Sequence, residues 1–235
     1  MALFAVEQNP EPTAQSPVGK HRNLRLKRRY IKKEGESMAN LQTTRENLIK
    51  KGYQVSLFAN KEEATAYLTE QIQGKTVAFG GSMTTKQMGL DQALAVKNCV
   101  LWHWTQTSAA LLPARTAQVY IASVNGMAET GEWVNIDGSG NRVAGTIFGS
   151  QAVYLVVGKN KIVPDLSRAL WRAKNIAAPL NAQRLHCATP CAVKADKCYD
   201  CDSPGRICNV TSIFERKPNG VAHYEVILID EELGY

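Results

Sequence analysis

The sequence lacks any apolar run approaching the roughly 20 residues that cross a bilayer, so no membrane span is expected. Its opening, MALFAVEQNPEP, has no basic stretch leading into an apolar one, and no secretory signal is read there. A reducing cytoplasm is the default expectation, where clustered cysteines serve as metal ligands or redox groups more often than as structural disulfides. Neither a G-x-x-x-x-G-K-[ST] phosphate loop nor a G-x-G-x-x-G dinucleotide turn occurs. A complete flavin or nicotinamide dehydrogenase in one chain is therefore not expected. No internal repeat is visible. The histidines are scattered, and His103, between Trp102 and Trp104, reads as a packing residue.

Charge is present but unevenly placed. The net charge is +7. Residues 1–37 hold eight Lys/Arg against four Glu, and residues 38–235 hold twenty against seventeen acids, so the body is nearly balanced. Residues 1–37 read as a disordered basic arm, with the run KHRNLRLKRRYIKK after a Pro-, Gln- and Ser-rich start. Such an arm suits nucleic acid or acidic lipid, but a solvated terminus or a mis-assigned start before Met38 explains it equally, and nucleic acid is not the expected partner.

From Met38 the pattern becomes regular. Leu41, Leu48 and Ile49 fall on one helical face closed by Gly52, and Asn60 with Glu63 forms a capping box for a helix to about Gln73. Apolar runs at YQVSLF, KTVAF, AQVYIA, QAVYLVV, TSIF and YEVILI read as strands. Pro164 suits the first turn of the helix PDLSRALWRAKNIA. Helices alternating with β-branched strands predict one α/β domain over 38–235, a mostly parallel sheet flanked by helices. In such sheets ligands bind beyond the carboxyl ends of strands. The polar turns at Gly80–Thr84, Asn125–Thr130 and Gly158–Lys161 are thus the candidate site.

The first turn offers Gly80, Gly81, Ser82 and Thr84 as a cradle for a phosphate or carboxylate, or else a tight strand-to-helix turn capped by a hydroxyl. The polar run Ser123–Gly149 places Asn125, Glu129, Asn135, Asp137, Asn141 and Arg142 between two strands. Glu129 is the candidate base or nucleophile. Arg142 is the candidate anion clamp. Part of this run, NIDGSGN, also reads as a hairpin turn.

Four cysteines close the chain's chemistry: Cys191, Cys198, Cys201 and Cys208, spaced C-x6-C-x2-C-x6-C within a motif spanning 187–208. The C-x2-C pair can bite one metal from a tight turn, and four thiolates suit either a tetrahedral zinc or an iron–sulfur cluster. The spacing does not choose between them. Cys99 reads as a core residue and Cys187 as a spare thiol.

Taken in order, VAFGGSMTTKQMGL, ETGEWVNIDGSGNRVAGTIFG, VVGKNKIVPDLSRAL and the APLNAQRL to RICN segment resemble the lactate-utilisation (LUD-domain) family, over roughly Leu41 to Tyr235. The resemblance implies a fold like that of ribose-5-phosphate isomerase and the CoA-transferases. It implies a role in L-lactate oxidation beside partner subunits that carry iron–sulfur clusters, which tilts the cysteine reading toward iron–sulfur. Gly80, Gly81, Ser82, Thr84, Asn125, Glu129, Asn135, Asp137, Asn141, Arg142, Asn160 and Lys161 all fall on the family's pattern. The chain departs at Gly126 and Ala128, where alanine and a hydroxyl residue are expected. The expected function is a redox-linked component of L-lactate or related 2-hydroxy acid utilisation, binding a small carboxylate or phosphate. The alternatives are a stand-alone isomerase or CoA-transferase with structural zinc, and a non-catalytic binding protein.

Overall fold

The computed structural model describes residues 40–235, so the expected basic arm over 1–37 lies outside the described residues. The strands are β1 (Gln54–Phe58), β2 (Thr76–Phe79), β3 (Cys99–Leu101), β4 (Val119–Ala122), β5 (Gly126–Ala128), β6 (Trp133–Asp137), β7 (Ala152–Gly158), β8 (Ile162–Val163), β9 (Val210–Phe214) and β10 (His223–Ile229). The helices are α1 (Leu41–Lys50), α2 (Lys61–Gln71), α3 (Met83–Met88), α4 (Leu90–Ala95), α5 (Asn141–Ile147), α6 (Leu166–Arg172), α7 (Ala178–Arg184) and α8 (Pro190–Lys194), with a π-helical turn at Ala173–Ala177 joining α6 to α7.

Six strands form a fully parallel sheet in the order β1-β10-β7-β4-β2-β3. This is the α/β architecture expected from the sequence. Alternate residues of each strand enter two different cores. Ala78, Tyr120, Leu155 and Val226 face one, and Val77, Ile121, Val156 and Ile227 face the other. Both faces are covered, which is why these strands read as unbroken apolar runs. Helices α2 and α4 cover one face through Leu68 and Leu94. A second sheet, ordered β8-β5-β6-β9, helps cover the opposite face, with Trp133 stacked on Phe214 at 3.6 Å between ring centroids.

Local chemistry explains most element ends. Asn40 and Asn60 cap α1 and α2 by accepting backbone N–H bonds, and Glu63 reaches back to the Ala59 N–H. Four expectations are corrected. Ile49 is exposed, because only Leu48 of that pair turns inward. Pro164 precedes the helix; Asp165 caps it by accepting from the Arg168 N–H, so α6 starts at Leu166. Cys99 is exposed rather than buried, since β3 is a three-residue edge strand. The NIDGSGN segment is no hairpin turn: the β5–β6 hairpin closes at Glu129–Glu132, while Asp137, the last residue of β6, accepts from the Val143 N–H in the first turn of α5.

One carboxylate is buried inside the sheet. Glu225 on β10 accepts from Ser56 Oγ at 2.6 Å and Tyr67 Oη at 3.0 Å, with His223 Nε2 at 3.3 Å. Burial pushes its pKa up, but the bonds from His223, Ser56 and Tyr67 outweigh that and hold it below the ordinary value. A depressed folded pKa stabilises the fold above the unfolded value of about 4.3. That contribution is lost as pH falls through the lower, folded value. Urea unfolding between about pH 3 and 7 should therefore show an acid-side loss of stability that Glu225→Gln flattens. An identical acid limb in parent and variant would show that other carboxylates control it.

Candidate functional site

Three strands that are neighbours in the sheet, β7, β4 and β2, send their carboxyl ends to one corner. The chain steps from β2 out to β3 and then returns to the other side of β2 for β4. This reversal is the kind of switch point at which open α/β sheets form clefts. The turns Gly80–Thr84 and Ser123–Asn125 flank it, and Gly158–Lys161 lies next to them.

The central feature is the short turn Ser123–Val124–Asn125. Its three successive carbonyls each accept from a different buried cation: Ser123 O from Arg142 at 3.1 Å, Val124 O from Lys161 at 3.1 Å, and Asn125 O from Arg172. Lys161 Nζ also donates to Ser123 Oγ at 2.9 Å, and that hydroxyl lies 3.3 Å from Thr84 Oγ1. Three cations therefore converge on one turn.

Their surroundings differ. Arg142, expected as an anion clamp, has its whole guanidinium engaged. It donates to Asp137 Oδ1 at 2.6 and 3.0 Å, and to Asn125 Oδ1, Asn135 Oδ1 and the Ile136 and Ser123 carbonyls. Gly80 leaves room for it, since a Cβ there would lie 2.8 Å from Arg142 Cγ. Arg142 is thus a bracket holding the turns together, and a ligand would have to displace Asp137 to use it. Arg172 is only 4% exposed and donates to two carbonyls, Asn160 O at 3.0 Å and Asn125 O. Burial draws its pKa down to about 10, with no carboxylate raising it.

The remaining expected residues sort by position. Thr84, Asn125, Asn160 and Lys161 stand at the corner. Ser82 caps α3, and Gly81 lies against the Trp104 ring. Asn135 and Asp137 belong to the Arg142 bracket, and Asn135 Nδ2 is buried with no partner among the described residues. Asn141 is exposed at the start of α5. Glu129, expected as base or nucleophile, sits at the far end of β5, about 13 Å from Asn125 at the usual rise per strand residue. Its carboxylate accepts the Asn40 N–H at 2.6 Å, at the start of α1. It does not face the corner. Gly126 and Ala128 do not face it either. A Cβ on Gly126 would meet Ala169 O at 2.6 Å, and Ala128 packs against Ala169 and Ala173. Two residues of the corner, Ser123 and Arg172, carry no distinguishing signal in the sequence. Ser123 is one hydroxyl in a polar run, and Arg172 looks like one more cation on an amphipathic helix.

The second feature is the thiol cavity. Cys191, Cys198, Cys201 and Cys208 line one small cavity of about 20 Å³, together with Thr189, Lys174 and Arg206. Arg206 donates to Cys201 O at 2.8 Å and Cys208 O at 3.2 Å, clamping the loop. The Cys201 thiol is drawn below its ordinary pKa by hydrogen bonds from Ser203, whereas burial pushes the Cys208 thiol up. Cys187 does not line the cavity. Among the described residues no three His, Cys, Asp or Glu side chains are gathered closely enough to hold a metal ion. The four thiols share a cavity, not yet a coordination shell. The two features meet at the π-helical turn: Arg172 precedes it, and Asn175 within it accepts from the Cys198 N–H at 3.2 Å.

Among the described residues no helix is long and apolar enough to cross a membrane. No curated protein matches the chain. A crystal structure of a DUF162 family protein from Deinococcus radiodurans is similar, at 14% identity, covering 80% of this chain and 95% of that one with a TM-score of 0.48. The LUD domain family matches residues 41–229, nearly all of the described structure, and the chain belongs to that family.

Proposed function

We propose that the protein is a redox-linked component of L-lactate or related 2-hydroxy acid utilisation, holding a small carboxylate or phosphate at the Ser123–Asn125 corner and a metal at the four thiols. The lactate-related role follows from membership of the LUD domain family. The observation that carries the anion site is Arg172. A buried cation held only by carbonyl dipoles is costly, and an anion beside it removes that cost. Lys161, Ser123 and Thr84 supply further donors at the same corner. With Glu129 turned away, an isomerase or CoA-transferase mechanism lacks its carboxylate nucleophile.

The cysteines suit a thiophilic metal by their chemistry. Cys191, Cys198, Cys201 and Cys208 would hold it, while Arg206 and Lys174 at the cavity would offset the charge of four thiolates. An iron–sulfur cluster there would supply one-electron transfer, and partner subunits would complete the electron path. A structural zinc is the second reading, since four thiolates also complete a tetrahedral zinc site. Arg172→Gln keeps a donor and removes the charge. It should weaken pyruvate, L-lactate or inorganic phosphate binding by roughly ten- to a hundredfold, the worth of one charge-assisted hydrogen bond. Calorimetric titration reads this directly. Unchanged affinity in a folded variant would move the anion site elsewhere.

A further inference from the structure

The corner is already filled by part of this chain. Beyond β10, Leu233 N donates to Asn160 Oδ1 at 3.0 Å, and Thr84 Oγ1 donates to Leu233 O at 3.3 Å. Gly234 N donates to Gln87 Oε1 at 2.7 Å, and Gly234 O accepts from Asn160 Nδ2 at 3.4 Å. A Cβ on Gly234 would lie 2.6 Å from Thr84 Oγ1 and 3.4 Å from Lys161 Nζ. Tyr235 Oη accepts from Arg184 Nε at 2.9 Å and donates to Asn181 Oδ1 at 3.0 Å. Arg184 in turn stacks on Trp104 at 4.3 Å. Thr84 and Asn160, two residues expected to meet a ligand, bond this segment instead, and Lys161 Nζ lies beside it.

The segment has the parts of a gate. Leu233 is buried in the sheet's core and anchors it. Gly234 has φ +64, a left-handed conformation open to glycine at little cost, and forms the hinge. Tyr235 is half-buried and tethered through its ring hydroxyl. We propose that Gly234–Tyr235 is a displaceable plug of the anion corner: a small carboxylate or phosphate takes over Asn160 Nδ2, which now holds Gly234 O, and the space beside Thr84 Oγ1 and Lys161 Nζ that Gly234 fills, and the segment swings out about Gly234. This rests on the anion-site reading above.

Because plug and ligand compete, loosening the plug tightens ligand binding. Tyr235→Phe removes the bonds to Arg184 and Asn181 without a steric change. It should bind pyruvate, L-lactate or inorganic phosphate roughly three- to tenfold more tightly than the parent, about the net worth of one hydrogen bond, because Arg184 and Asn181 stay bonded to each other. Gly234→Ala, strained at that φ, should shift affinity in the same direction. Amide exchange at Gly234 should quicken when ligand is added to the parent. Equal or weaker binding by Tyr235→Phe, where Arg172→Gln weakens the parent's binding as expected, overturns the plug and leaves the anion site standing. Binding of none of the three probes by parent or variant overturns the anion site, and the plug with it.

Discussion

Arg142→Ala is expected to destabilise the protein by about 3–5 kcal/mol, the cost of leaving one partner of a buried ion pair alone. For a chain of this size that corresponds to a fall of roughly 6–20 °C in melting temperature. The reason is geometric. Without the guanidinium, Asp137 stays buried with no cation, and the Ser123 and Ile136 carbonyls and the Asn125 and Asn135 amide oxygens lose their shared donor. Arg142→Lys should fall between, because one ammonium keeps the charge but cannot reach every acceptor. Circular dichroism melts and urea midpoints check this. An alanine variant as stable as the parent that nonetheless fails to bind anions would restore Arg142 as a ligand clamp.

Larger still is the effect expected at the cysteines. If the four thiols hold a metal as proposed, changing any one of Cys191, Cys198, Cys201 or Cys208 to Ser should cost most of it, since each thiolate would close one quarter of the shell. Cys99→Ser and Cys187→Ser should retain it, as Cys99 is exposed on an edge strand and Cys187 does not line the cavity. Protein prepared without oxygen separates the metals. Broad visible absorption bleached by dithionite assigns iron–sulfur, and a colourless protein with about one zinc per chain assigns a structural site. Four freely titrating thiols and neither metal would end the electron-carrying reading. Either metal would require the thiols to draw together, since among the described residues no three of them stand closely enough to hold an ion.

The sheet is legible in the sequence because both its faces are covered, so each strand stands out as an apolar run bounded by turns. The positions of the site turns are legible for the same reason, since each turn begins where such a run stops. Partnership across space is not. Nothing near Arg172 in sequence says that its guanidinium reaches back to Asn125, forty-seven residues earlier. Arg142 stands out as a cation of the site, but its use does not, since a buried guanidinium serves a carboxylate of the chain as readily as one of a ligand. Asp137-Gly138 misleads in the opposite sense. Asp-Gly is a strong hairpin signal locally, yet the Asp137 carboxylate finds the Val143 N–H in the first turn of a helix. Glu129 holds the right place in a motif, and the β5–β6 hairpin carries it to the wrong end of its strand.

The π-helical turn Ala173–Ala177 fixes a phase relation between the anion corner and the thiol cavity. Such a turn holds one residue more than an α turn. Removing that extra residue would let the turn close as an α turn with the downstream helix still in phase, whereas a further residue added in α-helical conformation would rotate everything downstream by about 100° about the helix axis. Arg172 would stay at its carbonyls, while Ala178, Pro179 and Ala182 would swing off the wall of the cysteine cavity. The extra residue of the π turn therefore sets how Arg172 and the cysteine cavity face one another. The spacing from Arg172 to Asn175 should tolerate substitution far better than it tolerates an insertion.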